Sequence, residues 1–139
     1  MIKTIAMIKL GELKTGDIVK VIDDGVEREG AVVEISHEDH QALVDNGVQE
    51  FWYGPEELHP ILVDENQLLK LGFQKQNLNG EGVKYMKGAF RIVTSREGDF
   101  SNLEMWYRED RRHFNAPIGV HQLQNLHLQM TKVPLEKPA

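Results

Sequence analysis

Alternating apolar and polar positions in the first half of the chain predict short antiparallel strands. The predicted strands are residues 17–23, 26–36, 41–45, 48–53 and 58–63. Asp24-Gly25 separates the first two strands and is typical of a two-residue hairpin, because such turns need positive φ angles. Asn46-Gly47 gives a second hairpin signal of the same kind.

Two residues modify this strand pattern. Gly30 in the second strand predicts a bulge or a tight bend, and Pro60 confines the fifth strand to an edge or to its own start. We expect a 3₁₀ turn at residues 54–57. Five short strands with such a turn before the last predict an SH3-like β-barrel over residues 1–63, a fold that does not by itself define a function.

Helical spacing appears twice in residues 64–139, on either side of a predicted meander. The first helix, 65–71, has Asp64 as a candidate N-cap and Gly72 at a position that suits a Schellman motif. The second helix is indicated by helical spacing of Val120, Leu123, Leu126, His127 and Met130, and it ends before Pro134. The predicted strands are 83–87, 89–94, 103–108 and, as a fourth, 113–116. The expected second domain is therefore an α+β unit of three or four antiparallel strands with two helices.

Composition narrows the class of protein. The 139 residues are 40% hydrophobic and 27% charged, which is typical of a folded globular chain. The absence of cysteine excludes disulfides, thiol catalysis and thiolate metal sites, and favours a cytoplasmic location. No membrane span is expected. Met7 repeats the Met-Ile-Lys of Met1, so either is a candidate start, and we expect the short lead to fray or to form an edge strand.

The net charge of −6 is unevenly distributed along the chain. Residues 1–63 carry 5 basic and 13 acidic side chains, a net charge of −8, whereas residues 64–139 carry 11 and 9, a net charge of +2. The predicted barrel is therefore a poor binder of polyanions, and any such contact is expected in the second half. Opposite signs also favour docking of the two halves on each other.

Three segments together resemble a group of short, uncharacterised proteins from gut-type bacteria and their phages and mobile elements. The segments are Leu13–Val19, His59–Phe73 and Val120–Thr131, and the last carries the motif V-H-Q-L-Q-N-L. The chain departs from the group after that motif, with His-Leu-Gln in place of Tyr-Phe-Ala and Lys132 in place of Gly, and it has Asp64 in place of Thr. The resemblance implies an accessory protein of phage or mobile-element origin and transfers no activity.

The same motif supplies one candidate recognition surface. On a helix, His121 lies over Gln124 and Asn125, and Gln122 lies over Asn125. These side chains either present amide donors and acceptors to a partner or satisfy backbone groups near the helix start. The structural alternative is favoured.

Two aromatic runs supply candidate protein-binding anchors. Neighbouring residues on a strand point to opposite faces, so at least one ring of Phe51-Trp52-Tyr53 must leave the interior, as must one of Trp106-Tyr107. Such rings either pack between the two halves, which we favour, or anchor a partner. The candidate anchors are Trp52, Tyr53 and Trp106.

A basic cluster provides an alternative function, namely binding of a nucleic acid or nucleotide through residues 108–113. Arg108, Arg111 and Arg112 can hold a phosphate or a carboxylate, and Tyr107 and His113 can stack on a base. The acidic residues between the arginines favour the alternative of a self-paired, solvated loop.

The sequence gives little support for metal binding or for catalysis. Residues 37–40 (His-Glu-Asp-His) have metal-ligand side chains, but they fall in a predicted turn, and a charged surface turn is the favoured interpretation. No nucleophile elbow, Walker loop, zinc-protease motif or dinucleotide fingerprint is present. The sequence therefore predicts a non-enzymatic binding or adaptor protein, without cofactor or metal, that acts on a protein partner.

Overall fold

Ten strands and two α-helices form within residues 8–138, the part of the chain that a computed structural model describes. They build two antiparallel sheets of five strands each, which confirms the expected mainly β, α+β class. The two candidate starts, Met1 and Met7, lie outside the described residues. The chain divides into two compact units. The first comprises residues 8–61 and Gly119–Gln122, and the second comprises Leu62–Ile118 and residues 123–138.

The first unit contains an open sheet. Its strands are β1 (Ile18–Asp23), β2 (Val26–Ser36), β3 (Gln41–Asp45), β4 (Glu50–Tyr53) and β5 (Leu58–His59), with 3₁₀ helices at Leu10–Glu12 and Pro55–Glu57. The strand order is β4-β3-β2-β1-β5. The expected closed barrel is therefore wrong, because β4 and β5 are the two edges of the sheet. β5 pairs through two residues only, and Pro60 directly after it has no N–H to extend the pairing.

One side of this sheet forms the core of the first unit. Its buried members include Val19 and Val21 of β1, Val44 of β3 and Leu58 of β5. They come together because β-branched and leucine side chains at alternate positions share a face. Burial of this face is what holds the open sheet together.

The β3–β4 connection is longer than the expected two-residue hairpin. Asn46 is buried, and its Oδ1 accepts hydrogen bonds from the N–H groups of Val48 and Gln49, both at 3.0 Å. Its Nδ2 donates to the hydroxyl of Tyr53 at 3.0 Å. This asparagine organises a four-residue loop, so β4 begins at Glu50 rather than at the predicted residue 48.

Gly30 has a different role from the expected bulge. It pairs regularly with Val19, and the register shift between β2 and β3 lies between Val32 and Glu34. A Cβ atom on Gly30 would lie 2.5 Å from Cγ1 of Val44 and 2.6 Å from the carbonyl oxygen of Asp45. The position needs glycine because the end of β3 crosses close to it.

The second unit contains a meander in sequence order. Its strands are β6 (Gln74–Asn77), β7 (Val83–Lys87), β8 (Phe90–Thr94), β9 (Leu103–Tyr107) and β10 (Asp110–Phe114). The expectation of three or four strands is wrong, because the sheet has five. The additional strand is β6, whose residues are all polar, so no apolar alternation predicted it. β10 begins at Asp110 rather than at the predicted residue 113, because only two residues connect it to β9.

The two α-helices within residues 8–138 are α1 (Glu65–Lys70) and α2 (Val120–Thr131), and the second unit holds α1 and the larger part of α2. The predicted signals at both ends of α1 are confirmed. The Asp64 carboxylate accepts a hydrogen bond from the N–H of Gln67 at 2.8 Å. Gly72 has a φ of +91°, and the N–H groups of Gly72 and Phe73 donate to carbonyls inside the helix, as a Schellman motif requires.

Helix α1 and the second unit's part of α2 cover one side of this meander. The Tyr85 hydroxyl donates to Oε1 of Glu65 on α1 at 2.9 Å, and the Phe90 ring lies 4.7 Å from the ring of His127 on α2. Hydrogen bonds from Lys75 and from Tyr85 lower the pKa of Glu65. Within residues 8–138, neither helix has the length and apolar character that a membrane span requires.

Replacement of Gly30 tests the close approach of β2 and β3. Gly30→Ala places a Cβ against a backbone oxygen that cannot move independently, so we expect a loss of about 1–3 kcal/mol of unfolding free energy. Gly11→Ala is the matched control, because nothing lies within 4 Å of its Cβ position. Urea denaturation measures both variants. Equal stability of the two would contradict the described packing.

Candidate functional site

The meander of the second unit has an outer face that neither α1 nor α2 covers. Tyr85, Ile92 and Met105 are buried at alternate positions of β7, β8 and β9. Because strand side chains alternate, the residues between them share the opposite side. We call this side the outer face, and its members on β7–β10 are Lys84, Met86, Arg91, Val93, Glu104, Trp106, Arg111 and His113.

Trp106 occupies the centre of the outer face. Strand register places Arg91 of β8 on one side of it and Arg111 of β10 on the other. Met86 of β7 lies directly beyond Arg91 in the same row. Both arginines are exposed, whereas Trp106 is partly buried. The row therefore presents an aromatic ring between two guanidinium groups.

The indole of Trp106 is held in place by two contacts. The Arg111 guanidinium carbon lies 4.4 Å from the ring centroid, which is within range of a cation–π interaction. The indole Nε1–H donates a hydrogen bond of 2.8 Å to Oε2 of Glu104. The ring is thus fixed by its own neighbours while part of its surface faces solvent.

The second row of the outer face carries Glu104 between Val93 and His113. Nδ1 of His113 lies 3.6 Å from Oε1 of Glu104. Glu104 is the one fixed negative charge of the outer face, against three fixed positive charges on Lys84, Arg91 and Arg111. The face has an excess of positive charge in a chain whose net charge is −6.

The hairpin between β9 and β10 carries an arginine in an unusual backbone conformation. Arg108 has a φ of +56°, a region that favours glycine. Its guanidinium carbon lies 5.1 Å from the centroid of the Tyr107 ring. The side chain of Arg108 therefore lies near Tyr107 at the exposed hairpin.

The structure divides the predicted basic cluster between the two sides of β10. Arg111 and His113 lie on the outer face, whereas Arg112 lies on the other side, opposite Met105. Nη2 of Arg112 lies 3.2 Å from Oδ2 of Asp110, so this positive charge is compensated on its own strand. The self-paired alternative therefore describes Arg112, and Arg108 and Arg111 remain as the exposed arginines of the cluster.

Five members of the outer face were not among the candidate site residues from the sequence. They are Lys84, Met86, Arg91, Val93 and Glu104. The signal that identifies them is the alternation within residues 83–87, 90–94 and 103–107, combined with the pairing of β7 with β8 and of β8 with β9. Lys84, Met86, Arg91 and Val93 come near Trp106 through strand pairing, which is a long-range contact, and not through their position in the sequence.

The aromatic run of β4 distributes its three rings as strand alternation requires. Tyr53 is buried and packs at 5.4 Å, centroid to centroid, against Phe51, which is 50% exposed. Trp52 is partly buried on the opposite side of the strand. The ring that leaves the interior most is therefore Phe51, and the Tyr53 side chain presents no exposed anchor.

The four polar residues of the α2 motif do not form a shared surface. His121 and Gln124 are buried, Asn125 is partly buried, and Gln122 is exposed. Gln122 Oε1 accepts from the N–H of Gly119 at 2.7 Å, and Gln124 Nε2 donates to the carbonyl of Leu135 at 2.9 Å. Their contacts are those of the structural alternative, in which side chains satisfy backbone groups around the helix.

Two buried histidines of α2 have lowered pKa values. Burial lowers the pKa of His121, and Oε2 of Glu12, 3.9 Å from its Nε2, opposes this shift. Its Nδ1 has no hydrogen-bond partner among the described residues. Burial also lowers the pKa of His127, although its bond to the Val133 carbonyl at 2.8 Å acts in the opposite direction. Both rings are therefore favoured in the neutral form.

Neither the histidine turn nor the depression in the first unit forms a better site. Residues 37–40 are exposed, and residues 8–138 contain no group of three or more side chains that could hold a metal ion. A depression of about 220 Å³ is lined by Lys20, Glu27, Arg28, Glu29 and Ile61. Lys20 lies 3.6 Å from Glu27, so the lining charges partly compensate one another.

Comparisons of the chain with protein-family models, curated proteins and solved structures find no match. The resemblance carried by residues 120–131 therefore stays a prediction. A function for the chain is therefore proposed from the residues of the outer face.

The buried histidines predict a loss of stability in mild acid. An unfolded histidine takes up a proton near pH 6.5, whereas the folded chain resists protonation of His121 and His127. The contribution of these two neutral histidines to the free energy of unfolding is thus fully present above pH ~6.5 and is lost as the pH drops below that value. Urea denaturation between pH 7.5 and 5 measures this decrease.

Substitution identifies which histidines are responsible. His121→Gln and His127→Gln should each flatten the pH dependence, whereas His37→Gln, in the exposed turn, should leave it unchanged. An unchanged slope in both buried-site variants would contradict the assignment.

Proposed function

We propose that the chain is a non-enzymatic binding or adaptor protein that acts on a protein partner through the outer face of its second unit. The observation that carries this proposal is the position of Trp106, which is partly exposed and flanked by Arg91 and Arg111 on neighbouring strands. Tryptophan and arginine dominate the binding energy of many protein interfaces. A fixed aromatic ring also loses little conformational entropy when a partner covers it.

The remaining apolar positions of the outer face support the same function. Met86 and Val93 are partly exposed on β7 and β8, close to the central row. Methionine adapts its shape to different surfaces, and it is enriched in interfaces. The Trp106 ring and the side chains of Met86 and Val93 form an apolar centre, and charged side chains surround it. This arrangement matches that of a usual protein interface, which has an apolar centre and a polar rim.

Three finer expectations belong to this proposal. The strand order β4-β3-β2-β1-β5, with a 3₁₀ helix before β5, supports a relation of the first sheet to SH3-like folds. The motif in residues 120–131 supports an accessory role of phage or mobile-element type. The cysteine-free composition supports a cytoplasmic location.

Affinity capture from a lysate of the native host tests the protein-binding function. The full chain should retain a stoichiometric partner, and Trp106→Ala should reduce that retention by about tenfold or more, as expected for a central interface residue. Quantitative mass spectrometry of the eluates measures the effect.

The matched control is Arg96→Glu, which alters an exposed arginine outside the outer face. Retention should be unchanged in this variant. Failure to capture a stoichiometric protein, or equal capture by Trp106→Ala, would count against the proposal.

A second candidate function is binding of a single-stranded nucleic acid or nucleotide through residues 108–113. The observation that favours it is the guanidinium carbon of Arg108, which lies 5.1 Å from the centroid of the Tyr107 ring at the exposed β9–β10 hairpin. Bases stack on both aromatic side chains and guanidinium planes. The excess of positive charge on the outer face supports a phosphate contact.

Arg108→Gly provides a sharp test of this second candidate. Glycine suits the φ of +56° at this position, so the hairpin should fold at least as well without the side chain. Fluorescence anisotropy with short labelled DNA and RNA should show binding that weakens from low to moderate salt, and this variant should bind several-fold more weakly. No signal at low salt would exclude the candidate.

A further inference from the structure

We infer that the segment recognised by the outer face is an acidic, extended stretch of polypeptide that places carboxylates on Arg91 and Arg111 and an apolar side chain beside Trp106. This inference rests on the proposed protein-binding function and specifies the chemistry of the partner. Its basis is charge complementarity between the segment and the outer face.

The charges of the outer face favour a negative ligand. Lys84, Arg91 and Arg111 are positive, and the one fixed negative group, Glu104, already accepts the indole N–H of Trp106. Arg91 is exposed on β8 and lies across β9 from Arg111. Guanidinium groups form bidentate hydrogen bonds with carboxylates, so two such positions on one face favour a ligand with at least two acidic groups.

The spacing of the two arginines suits an extended chain. They lie on strands that flank β9, and two interstrand steps correspond to about 10 Å. An extended polypeptide places side chains of one face about 7 Å apart at residues two apart and about 13 Å apart at residues four apart, and the long glutamate and arginine side chains accommodate the difference. A side chain between the two carboxylates then lies over the row that contains Trp106, with Met86 beyond Arg91 as further apolar surface.

Three observations favour a polypeptide over a nucleic acid as the occupant. The Arg111 guanidinium already covers the Trp106 ring, which limits access of a base to that face. The other apolar members of the outer face, Met86 and Val93, are aliphatic rather than aromatic. The net charge of −6 also opposes the approach of a long polyanion more strongly than that of a short acidic segment.

Direct binding to synthetic peptides tests the inference with the full chain. The probe is a fluorescein-labelled decapeptide of alternating glutamate and serine with one central leucine. Its matched controls have glutamine or lysine at the glutamate positions, and a labelled decamer of thymidylate represents nucleic acid. We expect the glutamate peptide to bind at least about tenfold more tightly than the glutamine peptide at low salt.

Substitutions locate the contact on the outer face. Arg91→Glu and Arg111→Glu should each weaken binding of the glutamate peptide by about tenfold. Arg111→Lys should give an intermediate loss, because it keeps the charge but not the planar, bidentate group. Arg96→Glu changes net charge equally at an exposed position outside the outer face and should leave binding within about twofold.

Each outcome decides for or against the inference. Loss of binding in both charge reversals with retention in Arg96→Glu supports it, provided that thermal denaturation shows folded variants. Equal binding of the glutamate and glutamine peptides, or no binding of either at millimolar concentration, overturns it. Tighter binding of the thymidylate decamer identifies a nucleic acid instead, and charge-dependent self-association in sedimentation identifies a second copy of the chain.

Failure of the inference is distinguishable from failure of the proposed function. If a captured host protein depends on Trp106 but not on Arg91 or Arg111, the outer face binds protein without a preference for acidic segments. If no capture depends on Trp106, the proposed function itself fails.

Discussion

The two-residue periodicity of β9 is the constraint on which the candidate site depends. Leu103 and Met105 are buried in the core of the second unit, so the intervening and following positions must lie on the other side of the sheet. Trp106 is placed outside for this reason, and the register of β8 and β10 then sets Arg91 and Arg111 beside it. Burial of Leu103 and Met105 in the core thereby determines which side chains lie on the outer face.

Local signals predicted much of the fold. The caps of α1 at Asp64 and Gly72 and most strand positions followed from residue types alone, because turns and helix ends have specific chemical requirements. Features that depend on tertiary contacts were not predictable. Gly30 serves a close approach by β3, and β6 contains only polar side chains that pair with β7 without an apolar signal.

The candidate site shows the same division between local and long-range information. Trp106, Arg108 and Arg111 stood out in the sequence, because aromatic and basic residues are adjacent there. Arg91 is visible in the sequence only as a basic residue on a preceding element, because the β8–β9 pairing is what brings it to Trp106. For the α2 motif, the sequence left a polar surface open but favoured a structural role, and the burial of His121 and Gln124 agrees with that structural role. Residue types identified side chains that can bind a partner, and burial in the folded chain determined which of them are accessible to one.

Fluorescence of Trp106 alone tests the central claim most directly. The chain has two tryptophans, so Trp52→Phe leaves Trp106 as the single reporter on the outer face. Acrylamide should quench this residue in the free protein, and a bound protein partner should shield it. A partner that binds without any change in quenching of Trp106 would contradict the account.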